Sequence, residues 1–534
     1  MIEFTIDGQA VSAAEGTTLM DAARGIGITI PAMCHNGDLP HFTSCMICVV
    51  KEEASGKLLS SCSVKARPGM RITTMSDEIR EARKTALDLL LSDHTGDCEA
   101  PCTMSCPAHM DIPLMNHLLA EGKFDEAYNV VIQDIALPSI LGRICPAPCE
   151  GACRRKSVDE AVAICMLKRY TGDEVLKDEE GRSQRFELRI LNSEITDSSI
   201  PKQEVPRHAS RVTRHDSSAS RVTRHDSSAS RFTRHDSPVT SHHHVAVIGS
   251  GPHGLSAAWY LQSFGFQCTV FDRNPLPGGA LRYSVPRELL PLETLDAEID
   301  RIRRSGVLFE MNAEIDLKNT AELEDRFDAV VYPLNRALKM AIRASALGKE
   351  AAWKVRQRLS GEAETGEPRL FNSRFGRLQE PEFAEYLKES VPGHRVEPAR
   401  GIPDGLTAEE VMAEAARCLH CECRKADNCL LRNFSDEYRA DQKRFQGPER
   451  KMVTKQFQHD TVVYEPLKCI KCGICVRITA MHGEEYGLTF IGRGFDVVVG
   501  VPFNKTIREG LTKTAEEAAG ACPTGALAMK NTKK

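Results

Sequence analysis

The chain has 534 residues, enough for about three or four domains at ~150 residues each. Lys plus Arg number 69 and Asp plus Glu 74, and this net charge of −5 excludes a globally basic nucleic-acid binder. No apolar run approaches the ~18 residues that cross a bilayer. The N-terminus carries acidic residues where a signal peptide has a basic region and an apolar core, so a cytoplasmic protein is expected.

Residues 1–75 read as a small β-rich domain. IEFTI alternates apolar and polar residues, Asp7-Gly8 offers a turn, and a second strand can follow. TTLMDAARGIG reads as a short helix with Thr17 or Thr18 near its N-cap, and RITTM as the closing strand. Residues 76–175 read as helical, with SDEIREARKTALDLLLSD, DIPLMNHLLAEG and KFDEAYNVVI at helical spacing. Residues 176–244 repeat SRVTRHDSSA with a period of ten and nearly lack large apolar residues, which predicts a disordered linker. Its closing histidines, 242–244, read as exposed and tail-like before they read as metal ligands. From Val245, VAVIGSGPHGLSAAWYLQSFGFQCTVFD reads as strand, glycine turn, helix and strand. The segment 320–417 reads as mostly helical and charged, 418–460 as a cysteine-rich segment, and 461–534 as a last compact unit.

Twenty cysteines fall mostly in tight groups. In a long chain in a reducing compartment, grouped thiols read as metal ligands rather than staples. The first group, Cys34, Cys45, Cys48 and Cys62, suits a [2Fe–2S] cluster, with structural zinc as the alternative. The second is two C-x3-C-x3-C triplets: Cys98, Cys102 and Cys106, then Cys145, Cys149 and Cys153. Six thiolates do not complete two cubane clusters, and His94 and Cys165 are the nearest additional donors. His94 reads equally as a ligand and as a histidine favoured by a helix C-terminus. Cys165 reads first as a buried apolar thiol and second as a ligand. The third group, Cys418, Cys421, Cys423 and Cys429, holds zinc or a [4Fe–4S] cluster, the iron-rich context favouring the cluster; His420 reads as a bystander. In the fourth, Cys469, Cys472, Cys475 and Cys522, C-x2-C-x2-C plus a distant C-P spells one [4Fe–4S] cluster. Cys268 reads as core.

Gly249, Gly251 and Gly254 form G-x-G-x-x-G between a strand and a helix, where a pyrophosphate meets the helix N-terminus. Asp272 ends the second strand, at the distance where a carboxylate holds ribose hydroxyls. The motif alone leaves FAD and NAD open.

IPAMCH, SCMICVV and PGMRITT resemble the N-terminal [2Fe–2S] domain of the large iron–sulfur subunit of respiratory complex I and related hydrogenase subunits. LLLSDHTGDC is similar to the same family, whose next cluster takes a histidine. CTMSCPAHMDIP and GRICPAPCEGAC resemble the iron–sulfur domain of the glutamate synthase small subunit and dihydropyrimidine dehydrogenase. That resemblance implies one [4Fe–4S] cluster on Cys98, Cys102 and Cys153, with His94 as candidate fourth ligand. The other takes Cys106, Cys145 and Cys149, with Cys165 as candidate, and Lys168 stands where that family can use a non-cysteine ligand. PGGALRYSVPRELLP resembles the same family's flavin domain and implies FAD contacts at Gly249, Gly251, Gly254, Asp272, Gly278, Gly279 and Arg282. The family's second, NADPH-binding glycine motif has no counterpart after Gly254, and its closing flavin motif is not evident.

These resemblances cover residues 1–75, 94–170, 245–293, 408–430 and 465–530. They imply a multidomain α+β and α/β chain: a β-grasp [2Fe–2S] ferredoxin, an α-helical iron–sulfur domain, a truncated Rossmann-like FAD domain over 245–417, and a ferredoxin-like [4Fe–4S] domain. The implied cofactors are one [2Fe–2S] cluster, three or four [4Fe–4S] clusters and FAD. The implied function is an electron-transfer oxidoreductase subunit of an NAD(P)H-linked complex of hydrogenase or formate dehydrogenase type, of which some are electron-bifurcating. Its expected partners are an NADH-binding flavoprotein subunit and a hydrogenase or formate dehydrogenase catalytic subunit, with ferredoxin as a further candidate. A stand-alone NAD(P)H:acceptor oxidoreductase or glutamate synthase small subunit ranks second, and a zinc-stabilised scaffold third.

Overall fold

The computed structural model describes residues 1–37, 39, 43–177, 243–317, 320–334 and 340–530. The segment read as a linker lies, but for its two ends, outside the described residues. His243 and His244 are described and are not tail-like. His244 opens the strand His244–Ile248 with its Nε2 2.9 Å from Thr269 Oγ1, and His243 Nδ1 is 3.2 Å from Asp328 Oδ1.

Five strands form the N-terminal sheet, in the order Gln9–Ala13, Ile2–Ile6, Arg71–Thr73, Val49–Glu52, Leu58–Ser60. Asp7 and Gly8 both adopt positive φ, as a two-residue hairpin turn requires. Arg71–Thr73 does not close the sheet, as expected from the sequence. It lies at the centre, parallel to Ile2–Ile6 and antiparallel to Val49–Glu52, because Ile72 must be covered on both flanks to be buried. The helix Leu19–Gly25 is capped by Thr18, whose Oγ1 accepts from Asp21 N.

The next region is helical. Asp77–Ser92 starts on a Ser76 cap, and Ile112–Ala120 and Phe124–Asp134 follow. Pro138–Ile144 and Ile164–Lys177 then pack backbone to backbone. A Cβ on Gly142 would overlap Arg169, and one on Gly172 would overlap Ser139. This close approach brings the end of one helix, at Cys145, to the start of the other, at Cys165.

The dinucleotide-type unit is a parallel sheet ordered Leu308–Met311, Gln267–Asp272, His244–Ile248, Ala329–Val331. Helix Pro252–Ser263 crosses helix Ala341–Leu359 at Gly348, where a Cβ would strike the His253 carbonyl. Residues 320–417 are less helical than their charge pattern suggests. Beyond 359 only Glu380–Leu387 and Ala408–Ala415 are helical, and the stretches between are held by side-chain bonds to other parts of the chain. The C-terminal unit pairs Val462–Tyr464 with Leu527–Met529 and Thr489–Ile491 with Val498–Gly500, around helices Ile474–Met481 and Ala515–Ala521.

The helical region and the dinucleotide-type unit share one apolar core. Buried polar bonds lock them together: Lys349 Nζ reaches Asp134 and Glu367, each at 2.6 Å, and Glu298 Oε1 accepts from Ser139 N at 2.8 Å. Burial pushes the Glu298 carboxyl from 4.5 up to about 7. Its folded value therefore exceeds its unfolded one, so the stability it contributes is complete below about pH 4.5 and is lost as pH rises through about 7. Glu298→Gln is expected to flatten stability over that interval, which denaturant titrations at a series of pH values would measure.

Candidate metal centres

All 20 cysteines are free thiols. The structure gathers 19 of them into five sets and leaves Cys268 buried on its strand with its Sγ 3.7 Å from the Phe266 carbonyl.

The N-terminal set matches its sequence grouping. Cys48 Sγ and Cys62 Sγ are 3.4 Å apart. Neighbouring Cys45 and Cys62 hold the Cys34 thiol far below its ordinary range, and Cys62 draws Cys48 down to about 7. All four sulfurs belong to residues at most 2% exposed.

The two triplets and the third group are divided differently from the reading by spacing. Cys102, Cys153, Cys418 and Cys421 line one void. Burial, then Cys418, Cys421 and Cys153, push the Cys102 thiol well up. Cys98 instead faces Cys423 and Cys429. Burial and then Cys423 push Cys98 up to about 11, and burial, then Cys423 and Cys98, push Cys429 up to about 12. The segment 418–429 therefore does not gather its four thiols at one point, as either zinc or a single cluster would need. Among the described residues, no three His, Cys, Asp or Glu are placed to hold a single metal ion.

The backbone explains the division. Helix Pro101–Ser105 is only five residues long; Cys98 precedes it, Cys102 lies in its first turn, and Cys106 leaves it in extended conformation (φ −72°, ψ 122°). The three cysteines cannot share a helical face. Cys145 and Cys153 are likewise extended on either side of the short helix Pro148–Gly151 that carries Cys149. Three of the four C-x2-C pairs also enclose a non-glycine residue in the left-handed region, Met46 (φ 55°), His420 (φ 44°) and Lys471 (φ 56°), and the fourth, Cys472 to Cys475, encloses Gly473 (φ 70°). Such a non-glycine residue costs about 1–2 kcal/mol, and here it turns two thiols toward one void.

Cys165 joins Cys106, Cys145 and Cys149, against its first reading as a plain core thiol. Cys106, Cys145 and Cys149 line a second void together with Lys168. Cys145 pulls the Cys165 thiol down, but Cys149 and burial push it up to about 12. Lys168 Nζ is 3.9 Å from Cys165 Sγ. Cys469, Cys472, Cys475 and Cys522 line a third void.

His94 is half-buried and shares a neighbour, Lys468, with Cys98 and Cys423. Burial and then the Lys468 charge push its imidazole down to about 4, and its Nδ1 has no hydrogen-bond partner. A neutral ring gains nothing from a helix C-terminus, whereas a neutral ring with an open nitrogen is the form that binds metal. His420 stacks edge-on to His117 and lies 3.7 Å from Glu422.

Sequence reasoning missed the contacts between sets. Arg477 Nη2 donates to the carbonyls of both Cys34 (3.2 Å) and Cys472 (3.3 Å). Lys425 Nζ donates to the Cys522 carbonyl at 2.6 Å, and Leu430 N to Pro523 O at 2.9 Å. Gly525 rests on Cys423, whose sulfur a Cβ would overlap.

At the glycine turn, Gly249 has φ 93° and Gly251 precedes the helix. A Cβ on Gly254 would overlap the Gly249 carbonyl. Gly278 and Gly279 also have positive φ, and Gly278 N donates to Ser250 O at 3.1 Å. These features fit a pyrophosphate turn. Asp272 is engaged by the protein: Oδ2 accepts from Ser250 N (2.7 Å) and Oγ (2.6 Å), and Oδ1 from Asn274 N (2.9 Å) and Nδ2 (2.8 Å). Those four donors fill the acceptor sites of a carboxylate. Arg282 is buried, bonded to Pro277 O at 2.6 Å and ion-paired with Asp296.

Three sequence families match successive parts of the chain. "2Fe-2S iron-sulfur cluster binding domain" covers residues 1–77, "Dihydropyrimidine dehydrogenase domain II, 4Fe-4S cluster" residues 78–180, and "NAD(P)-binding Rossmann-like domain" residues 247–299. The relatives are oxidoreductase subunits or chains. The NADP(+)-dependent formate dehydrogenase subunit beta of Moorella thermoacetica is 34% identical over 43% of this chain and 29% of its own length. The NADPH-Fe(3+) oxidoreductase subunit beta of Geobacter sulfurreducens is 30% identical over 43% and 27%. The glutamate synthase [NADPH] small chain of Bacillus subtilis is 30% identical over 43% and 36%. The chain thus spans about a third of the length of these relatives. No described helix is long and apolar enough to cross a membrane.

Gly525→Ala is expected to force the 522–526 loop off Cys423 and lower the melting temperature by several degrees. Gly520→Ala, with nothing within 4 Å, is expected to leave it unchanged or raise it slightly. Thermal melts of the two variants side by side would check this.

Proposed function

We propose that the chain is an iron–sulfur electron-transfer subunit of an NAD(P)H-linked oxidoreductase complex of formate dehydrogenase or hydrogenase type. The observation that carries this reading is the order of the thiol sets: each set touches the next. The Cys106 set joins the Cys102 set through two five-residue spans, 102–106 and 149–153. The Cys102 set joins the Cys98 set through 98–102 and through Glu422, which alone separates Cys421 from Cys423. The Cys98 set meets the C-terminal set at Gly525, Lys425 and Leu430. The C-terminal set meets the N-terminal set through Arg477.

In this reading Cys34, Cys45, Cys48 and Cys62 hold a [2Fe–2S] cluster. Four [4Fe–4S] clusters are held by Cys106, Cys145, Cys149 and Cys165; by Cys102, Cys153, Cys418 and Cys421; by Cys98, Cys423 and Cys429 with His94 Nδ1; and by Cys469, Cys472, Cys475 and Cys522. Gly249, Gly251, Gly254, Gly278 and Gly279 cradle the pyrophosphate of FAD, and Asp272 must give up a Ser250 or Asn274 bond to take a ribose hydroxyl. When bound, thiolate-held clusters exchange single electrons and a flavin one or two. The protein's part is to hold thiolates, exclude water and keep neighbouring sets in contact. The helix Ala341–Leu359 places Ile342 on the wall of the Cys106 void, so the dinucleotide-type unit abuts one end of the series. The N-terminal set, beside the exposed Met46, stands at the other. An NADH-binding flavoprotein and a formate dehydrogenase or hydrogenase catalytic subunit are the partners this arrangement suits.

Cys418→Ser and Cys423→Ser are expected to remove two different [4Fe–4S] signals from the electron paramagnetic resonance spectrum of anaerobic, reduced protein. Loss of the same signal in both variants would return 418–429 to a single site. Iron, sulfide and flavin counts near zero would end the reading altogether.

A further inference from the structure

We infer that Lys168 sets the reduction potential of the cluster held by Cys106, Cys145, Cys149 and Cys165, acting as a fixed positive charge against its sulfurs. This rests on the ligand assignment proposed above. Lys168 follows Cys165 by three residues on helix Ile164–Lys177, so the two side chains share a face. It is 3% exposed, and the only hydrogen bond of its ammonium among the described residues runs to Cys165 Sγ at 3.9 Å.

The other buried lysines are accommodated differently. Lys349 pairs with Asp134 and Glu367, and Lys468 with Glu465 at 2.8 Å. Lys425 donates to the carbonyls at the end of helix Ala515–Ala521, and Lys455 lies over the Tyr386 ring at 3.8 Å. Among these five, Lys468, which also stands near a thiol, Cys423, is paired with Glu465, whereas Lys168 has a thiol as the one hydrogen-bond partner of its ammonium. The remaining wall of its void is apolar, with Ile112, Ile135, Ile164 and Ile342, and includes no carboxylate. Of the acids beside this set, Asp134 is occupied by Lys349, and Glu150, whose Oε1 accepts from Cys165 N at 2.9 Å, is ion-paired with Arg395.

An isolated ammonium is costly to bury unless the site itself supplies negative charge. Four thiolates around a cluster supply it, and more of it after reduction. A cluster held there would gain one negative charge on accepting an electron while Lys168 keeps its proton, so the fixed ammonium would favour the reduced state and raise the potential, since net charge and contacts to the sulfurs are what set it. The lysine that stands where related sequences can place a ligand is therefore a positioning charge, not a ligand.

The test is a redox titration of the anaerobic full-length chain followed by electron paramagnetic resonance. The relevant signal is the one lost in Cys149→Ser. Lys168→Met and Lys168→Gln should shift its midpoint to more negative potential, while Lys168→Arg stays near wild type and the other signals do not move. An unchanged midpoint in both neutral variants overturns the inference. Loss of the signal in both, with Lys168→Arg intact, also overturns it, because Lys168 would then be needed to hold the cluster. If Cys149→Ser removes no signal, the ligand assignment itself fails, which is distinguishable from either result.

Discussion

The interior depends on sulfur that protein atoms alone do not satisfy. Burial pushes thiol after thiol up, Cys98 and Cys469 to about 11 and Cys421, Cys429 and Cys472 to about 12. A thiol with such a value stays protonated at neutral pH and is a poor donor and weak acceptor. Under the proposed function a metal centre would draw the proton off and turn these thiols into ligands, and cluster assembly would then contribute to the stability of the fold.

This accounts for how little regular structure the middle of the chain contains. Residues 388–407 and 418–429 form almost no helix or strand. Their buried charges are tied to remote segments: Arg417 reaches Asp159, Glu160 O and Gly393 O, and Arg155 reaches Arg417 O. Arg424 pairs with Glu389 and stands beside Glu465. Under the proposed function a loop that serves two sites would have its conformation fixed through four thiolates at once. The left-handed His420 between two of them is tolerated because the surroundings over-determine it.

The limits of the sequence follow from the same geometry. Helices and the glycine turn were readable because their signals are periodic and local: Thr18 caps where expected, and Gly254 sits where a Cβ cannot. The N-terminal and C-terminal thiol sets were readable because each is confined to one unit. Of the other three, Cys106, Cys145 and Cys149 with Cys165 come together as the family resemblance implied, whereas the division of Cys98, Cys102, Cys153 and the cysteines of 418–429 was not readable, because spacing is one-dimensional. Two C-x3-C-x3-C runs look like helical faces, yet their helices are five and four residues long and the flanking cysteines are extended. Nothing local in CLHCEC announces that Cys421 and Cys423, with one residue between them, fall in different sets. Cys165 looked like core because its neighbours in sequence are apolar, and its partners come from another helix brought close at Gly142 and Gly172.

The dinucleotide-type unit has a mechanical role whatever it binds. Tyr260 Oη donates to Ile132 O at 3.3 Å, Arg301 reaches Ala136 O, and Lys349 bridges Asp134 and Glu367. All of these grip the segment 132–139 that leads into helix Pro138–Ile144 and hence to Cys145. Asp272, bonded on both oxygens to Ser250 and Asn274, ties the glycine turn to the second strand instead of presenting an open carboxylate. The segment that leads to Cys145 is therefore braced by the unit that carries the glycine turn.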